Sequence, residues 1–350
     1  MKYFFTGALL MLVLLISFFG YKQNVVDVSS LPYDDEQNGL SDQIIIHFSH
    51  VVAENTPKGL AAIKFAELVK EKTNGRVIVQ VYPNGILYND KNEMEALQNN
   101  DIQMIAPTFS KMTSYLPSWQ VLDLPFIIET DEQLQDVLTG PLKDQLLAEL
   151  DELNIKGLDF WSNGFKQIAS NDFPVQDVED FQSLRVRVMA SDLISKQFSL
   201  LGSTPIITTF DDVFYEIEKK NIQAQENTIS NLYSKGFHKY EKYITLSNHG
   251  IMGYAVIMNE SFWNDLDDEL QQHILDALQE MSDWQFETSI AMNKSGQQEL
   301  RALPNVFLSP LSAAQKSAWK EKVTPIYDTY KNEVSDSYYK LLIEEVNRSN

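Results

Sequence analysis

Leu184-Arg185-Val186-Arg187-Val188-Met189-Ala190-Ser191 is the stretch whose reading decides the fold. Leu184, Val186 and Val188 alternate with Arg185 and Arg187, and a period of two marks a β-strand. Ser191 is a good helix N-cap. Leu193, Ile194, Phe198 and Leu201 then recur on one helical face until Gly202 stops the helix. A strand that runs straight into a helix delivers its last side chains to the edge of a sheet, where ligands bind in open α/β folds. An arginine there offers a rigid fork of donors that fits a carboxylate with two parallel hydrogen bonds. The competing reading is a solvated strand face with structural ion pairs, and the pattern alone leaves both open.

Upstream, Ile44-Ile45-Ile46 runs into Phe48 as an apolar strand of the buried kind. His47 and His50 stand three residues apart on it, so they face opposite ways and a shared metal is not expected. Thr56-Pro57 starts a helix with an N-cap and a proline at its first position. Ala61, Phe65, Leu68 and Val69 give that helix an apolar face, and Asn74-Gly75 ends it. A strand over 76–82 closed by Pro83-Asn84-Gly85, a helix over 93–98 and a strand over 102–106 complete a βαβαβ pattern, hence a doubly wound domain.

An apolar stretch over 122–128 around Pro125 is followed by a helix over 131–150. A strand over 155–161 then runs into the turn signal Asn163-Gly164. Thr208 or Thr209 caps a helix carrying Val213, Phe214 and Ile217. Residues 243–246 and 254–258 read as strands, with His249-Gly250 between them. Ser261 caps a long helical region to about residue 300, and Asp265, Asp267, Asp268 and Glu269 in its first turn favour the helix dipole. That acidic run lacks the central glycine of a calcium loop. A strand near Val306 and a helix over 311–346 close the chain.

With 350 residues the chain is too long for one small core and suits two domains. It has no cysteine, hence no disulfide and no lipoprotein attachment site. A formal charge of -21 argues against nucleic acid as a partner. It also requires any anion site to be a local concentration of cations. Residues 1–20 combine a positive start with an apolar run, which reads as a signal peptide or an uncleaved membrane anchor. Phe18, Phe19 and Tyr21 crowd the cleavage position and tip the reading towards the anchor. Residues 21–41, polar with Asp34-Asp35-Glu36, read as a flexible linker.

From residue 42 to the C-terminus the chain resembles the DctP-type solute-binding proteins of tripartite ATP-independent periplasmic (TRAP) transporters, in the C4-dicarboxylate branch. Five motifs in the right order carry the resemblance: His50-Val51-Val52-Ala53-Glu54-Asn55-Thr56-Pro57-Lys58-Gly59, Asn163-Gly164-Phe165-Lys166, residues 184–188, Thr209-Phe210-Asp211-Asp212-Val213-Phe214, and Gln225-Glu226-Asn227. It implies a two-domain α/β fold of the periplasmic-binding-protein kind. Each domain is a mixed, mostly parallel sheet flanked by helices, with a ligand cleft between the domains. The domains implied are 42–163 with 253–292, and 164–252 with 293–346.

The resemblance also implies a site. Arg187 clamps the ligand carboxylate and Asn227 lies beside it. Phe210 packs on the ligand's carbon chain unless it is simply core. His50 makes a polar contact unless it is an ordinary hydrogen-bonded loop histidine, and Tyr254 reaches the cleft, where a ligand carboxylate can partner its hydroxyl. Thr108, like Ser110, follows a strand end and either faces the cleft or is ordinary loop polarity. Lys166 stands where sialic-acid-type members carry arginine, so Lys166 with Arg187 is taken to hold a small diacid. Arg185 is placed on the strand face opposite Arg187.

The function so implied is extracytoplasmic capture of a small organic acid, such as succinate, fumarate or malate, by two domains that close over it. Closure takes the carboxylate–guanidinium contact out of water, where it is weak. The protein is expected to act as a monomer in the periplasm or at the outer face of the cytoplasmic membrane, and to deliver its ligand to the permease subunits of a TRAP transporter. No cofactor, metal or catalytic group is expected. The chain has no Gly-x-Ser-x-Gly elbow, cysteine nucleophile, phosphate-cradling glycine loop or zinc set. A two-carboxylate hydrolase stays open on residue types alone, as does a co-receptor that presents the bound state to a membrane sensor kinase. Arg187→Ala is expected to cost about 2–5 kcal/mol of ligand binding, and Arg187→Lys to recover little of it. Arg185→Ala should bind almost normally by calorimetric titration; equal losses at both positions would contradict the assignment of the clamp.

Overall fold

Ten strands carry the architecture among the residues, 43–349, that a computed structural model describes. They are β1 (Ile44–Ser49), β2 (Val77–Tyr82), β3 (Met104–Ile105), β4 (Ile155–Ser170), β5 (Arg185–Val188), β6 (Thr204–Ile207), β7 (Ala224–Thr228), β8 (Tyr243–Leu246), β9 (Ile251–Asn259) and β10 (Phe307–Pro310). In space they run β2-β1-β3-β9-β4-β7-β5-β6, with β8 on the far half of β4 and β10 on β8. Every pairing that involves β4 or β9 is antiparallel, and the other pairings are parallel. Parallel neighbours need crossover connections. The helix Pro57–Lys72 joins β1 to β2, and the helix Asp192–Leu201 joins β5 to β6. The second is built as its sequence reads: Ser191 accepts from the Ile194 N–H, Gly202 takes φ of 105° at its end, and Leu193, Ile194, Phe198 and Leu201 are buried.

Asn163-Gly164 does not turn the chain. β4 runs through it for 16 residues, and the pairing register with β9 slips between Ser162 and Gly164. Gly164 takes φ of 81° there, so a turn-forming pair makes a bulge inside one strand. Up to Phe165 the strand pairs with β9; from Lys166 it pairs with β7, and from Ile168 also with β8. A large apolar core includes Phe48, Phe65, Trp161, Val186 and Phe198. A smaller one joins Ala169, Val213, Ile217, Ile229, Phe237 and Ile244.

Other departures follow from local chemistry. The strand expected over 102–106 is only Met104–Ile105. The helix expected over 131–150 stops at Thr139 and restarts at Pro141, because proline cannot donate to the preceding turn. The C-terminal helix is interrupted at Pro325 in the same way. Ser261 lies inside the short helix Glu260–Asp265, which Asn259 caps, and Asp267 caps Asp268–Ala302 by accepting from the Leu270 N–H. Thr208 and Thr209 cap no helix; Asp212 precedes Val213–Glu218, and the Thr209 hydroxyl donates to its carboxylate at 2.9 Å. Among the described residues no helix is long and apolar enough to cross a membrane. The signal or anchor over 1–20 and the linker over 21–41 lie outside the described residues.

A Cβ on Gly164 would stand 3.0 Å from Asn293 Nδ2, on a backbone that L-residues avoid. Gly164→Ala is therefore expected to destabilise the fold by about 1–2 kcal/mol in urea denaturation. Unchanged stability would mean that the bulge is not held in its left-handed form.

Candidate functional site

Arg185 and Arg187 share a face of β5, as residues two apart in a strand must. The expectation that they face opposite ways is thus corrected, and what separates them is depth. Arg185, at the exposed start of the strand, donates to the carbonyls of Asn221 and Lys220. Arg187, at the inner end, is 3% exposed. Its Nε and Nη2 donate to the Thr208 carbonyl at 3.1 and 2.9 Å. Among the described residues no carboxylate lies within 4.0 Å of its guanidinium. Burial lowers its pKa from the ordinary arginine value, yet arginine stays charged in proteins. A buried charge in this state is costly unless something else pairs with it.

Arg187 lines a cavity of about 440 Å³, within the usual range for ligand pockets of roughly 300–1,000 Å³. Asn227 lines the same cavity from β7. Its Oδ1 accepts from the Thr228 N–H and from Asn231 Nδ2, both at 3.0 Å. Phe210 lines the cavity and also packs edge-on against Phe237 of the smaller core at 5.9 Å. Tyr254 and Thr108 enter from the other wall, where they pair as an isolated β-bridge. The Thr108 hydroxyl caps the helix Phe109–Met112 by accepting from the Lys111 N–H. Tyr254 is buried, with its ring 4.0 Å beneath Lys58 Nζ.

Lys166 and His50 are not in the cavity wall. The β4–β7 register puts Gln167 opposite Asn227 and Lys166 opposite Thr228, so Lys166 shares the other face with Glu226. There Lys166 Nζ and His249 Nε2 lie 2.8 and 3.3 Å from the same Glu226 oxygen, and Ser247 Oγ is 2.7 Å from His249 Nδ1. Burial pushes the Glu226 carboxyl up, but the Lys166 ammonium and the contact with His249 outweigh it and hold it at about 2. The charge of Lys166 is already neutralised within the fold. His50 is fully buried against Phe48, and neither ring nitrogen makes a well-formed hydrogen bond. Burial, then the charge of Lys58, pushes its pKa down to about 3, so it is a neutral imidazole.

The cation that sequence reasoning passed over is Lys58. It lines the cavity, is 1% exposed, and donates to the Ala106 carbonyl at 2.9 Å. Like Arg187, it has no carboxylate within 4.0 Å among the described residues. The other cavity cations are paired. Lys111 bonds Asp90 and Glu93, each at 3.0 Å, and Lys91 meets Asp212 at 2.8 Å. One signal could have found Lys58. It sits in the first turn of a helix, where the dipole disfavours a cation, and a residue that breaks a local rule is a candidate for function.

Two buried cations without carboxylate partners face one cavity, in a chain of charge -21, an arrangement suited to a small anion. The chain belongs to the DctP family of bacterial extracellular solute-binding proteins, family 7, whose profile matches residues 48–333. It is 44% identical over 298 residues to the C4-dicarboxylate-binding protein DctB of Bacillus subtilis, covering 85% of each chain. A TRAP periplasmic solute-binding protein from Shewanella oneidensis with bound succinate superposes with a TM-score of 0.83 at 34% identity, covering 87% of this chain and 99% of that one. One from Pseudomonas aeruginosa PAO1 with bound L-malate gives 0.80 at 32%, covering 82% and 100%. The mixed α/β fold is that of the TRAP solute-binding proteins, and the family binds solutes rather than transforming them.

Burial lowers the Lys58 pKa to about 8, although Glu93 and Asp90 pull the other way. An anion needs the protonated amine, so affinity should hold below about pH 8 and fall as pH rises through it. In a calorimetric series Lys58→Met should lose this step. A wild-type profile that stays flat into alkaline pH would remove Lys58 from the site.

Proposed function

We propose that this protein captures a C4-dicarboxylate outside the cytoplasm and passes it to the membrane subunits of a TRAP transporter. The observation that carries the proposal is the pair Arg187 and Lys58, two buried cations without carboxylate partners on the wall of one cavity. One ligand carboxylate takes the open N–H groups of Arg187, with Asn227 beside it. The second takes Lys58. Phe210 and Val52 cover the carbons, and Thr108 and Tyr254 complete the wall on the Lys58 side. Lys166 serves this site indirectly, by keeping Glu226 engaged on the opposite face, and His50 adds apolar backing as a neutral ring. The relatives named for C4-dicarboxylates, and those solved with succinate and L-malate, support a diacid. None of their names speaks for the sensing alternative.

Capture proceeds by closure of two domains, 42–163 with 253–292 and 164–252 with 293–346. Contacts across the cavity support a closed form: Lys91 with Asp212, and the Thr113 hydroxyl donating to the Ala190 carbonyl at 3.1 Å. Both partners of that ion pair are exposed, so water screens it and it is weak enough for the cleft to reopen.

Titrating succinate and butyrate into wild type, Lys58→Met and Lys166→Met tests the assignment. Wild type should strongly prefer succinate, and Lys58→Met should lose most of that preference. Lys166→Met should keep it while losing about 3–5 kcal/mol of folding stability, because Glu226 is left buried and unpaired. Butyrate binding wild type as tightly as succinate would overturn the dicarboxylate assignment.

A further inference from the structure

We infer that Glu241 is a positioning residue of the binding site, completing through Gln225 the chain of hydrogen bonds that holds the Asn227 amide nitrogen in place for the ligand. The inference rests on the reading of Asn227 as a ligand contact. An amide side chain presents either a donor or an acceptor, and the two orientations are nearly equal in shape. An anion needs the donor. Something must therefore hold Asn227 the right way round, and the hydrogen bonds around it supply a directional chain.

The chain begins at a group whose polarity cannot change. The backbone N–H of Thr228 is a donor, and it meets the Asn227 side chain at 3.0 Å, so the atom there is Oδ1. Asn231 Nδ2 donates to the same oxygen. The other Asn227 atom is then the amide nitrogen, which donates to Gln225 Oε1 at 3.1 Å. With its oxygen used, Gln225 must present its own nitrogen at the far end, and that nitrogen donates to Glu241 Oε2. The chain closes only if residue 241 accepts. A carboxyl oxygen can accept whether or not the group is ionised.

Glu241 has no other duty in view. It is fully buried, its second oxygen has no partner, and among the described residues no cation lies within 4.0 Å of it. A buried carboxyl without a cation is a cost that a protein avoids unless the group is used. Its place fits the role. Gln225 lies beside Arg187 in the β5–β7 register, so the chain runs from the strand position next to the clamp to Asn227. One Asn227 N–H is taken by Gln225, which leaves the other for the cavity that Asn227 lines. Burial raises Glu241 to about 8, with Gln225 and the Arg187 charge opposing, so the group adds little negative charge beneath the anion at neutral pH.

The test is calorimetric titration of succinate into the full chain and five variants, with thermal unfolding of each to establish that it is folded. Asn227→Ala should weaken binding about tenfold or more, for loss of a hydrogen bond to a charged group. Glu241→Leu and Gln225→Leu should each weaken it about tenfold, and the double variant should bind no worse than Gln225→Leu alone. Glu241→Gln should bind like wild type, because its amide oxygen accepts from Gln225; a role confined to charge or packing would not be rescued this way. Wild-type affinity in Glu241→Leu, or an affinity in Glu241→Gln as poor as in Glu241→Leu, would overturn the inference while leaving the ligand reading intact. Should Glu241→Leu fail to fold, wild-type affinity in Gln225→Leu would overturn it equally. Wild-type affinity in Asn227→Ala would instead remove Asn227 from the site, and the inference with it.

Discussion

A guanidinium taken out of water has lost its hydration and must find charge or hydrogen bonds inside the protein. In this chain Arg187 finds one backbone carbonyl and no carboxylate. The protein as a whole carries a large excess of carboxylates, so this isolation has to be built. Glu226 is the nearest threat, one residue from Asn227 on the strand beside β5. Strand alternation turns Glu226 to the opposite face, and Lys166 and His249 hold it there. Asp90 and Glu93, which also line the cavity, are occupied by Lys111, and Asp212 by Lys91. Each carboxylate that lines the cavity thus has a cation partner, and Arg187 and Lys58 are left over.

That segregation explains why the fold is arranged as it is around β4. The strand pairs with β9 along one length and with β7 and β8 along the other, and the bulge at Gly164 marks the change. The same strand carries Lys166 and Gln167 on alternate faces immediately after the bulge: Lys166 neutralises Glu226, and Gln167 accepts from the Ser247 and Asn248 N–H groups. The Lys58 side is built differently. A helix N-terminus is packed so closely on the preceding loop that a Cβ at Gly59 would lie 2.4 Å from the Ala53 and Glu54 carbonyls. This close approach buries the first turn of the helix and carries Lys58 inside with it.

Much of this was legible in the residues. The alternation at 184–188, the cap at Ser191 and the stop at Gly202 describe β5 and its helix almost as they stand, because each signal is local and they agree. Arg187, Asn227, Phe210, Tyr254 and Thr108 do come together around one cavity. Lys166 did not, for a reason contained in the strand itself: it and Gln167 cannot both face Asn227. Lys58 was hidden by an ordinary expectation that lysine is exposed, which holds until an apolar neighbour and a close backbone approach override it. Asn163-Gly164 looks the same whether it reverses a chain or bulges a strand, since φ above zero serves either. Only the pairing partners decide between them, and those come from distant sequence. The caps at Asn259 and Asp267 were missed in favour of Ser261 because several competent residues crowd a few positions.

The most direct measurement is a crystal structure of the succinate complex. One carboxylate should lie within hydrogen-bonding distance of the Arg187 guanidinium and the Asn227 amide nitrogen. The other should lie at Lys58 Nζ, with Lys166 still on Glu226. A carboxylate bound to Lys166 with Glu226 displaced, or a ligand seated away from Arg187, would contradict the account.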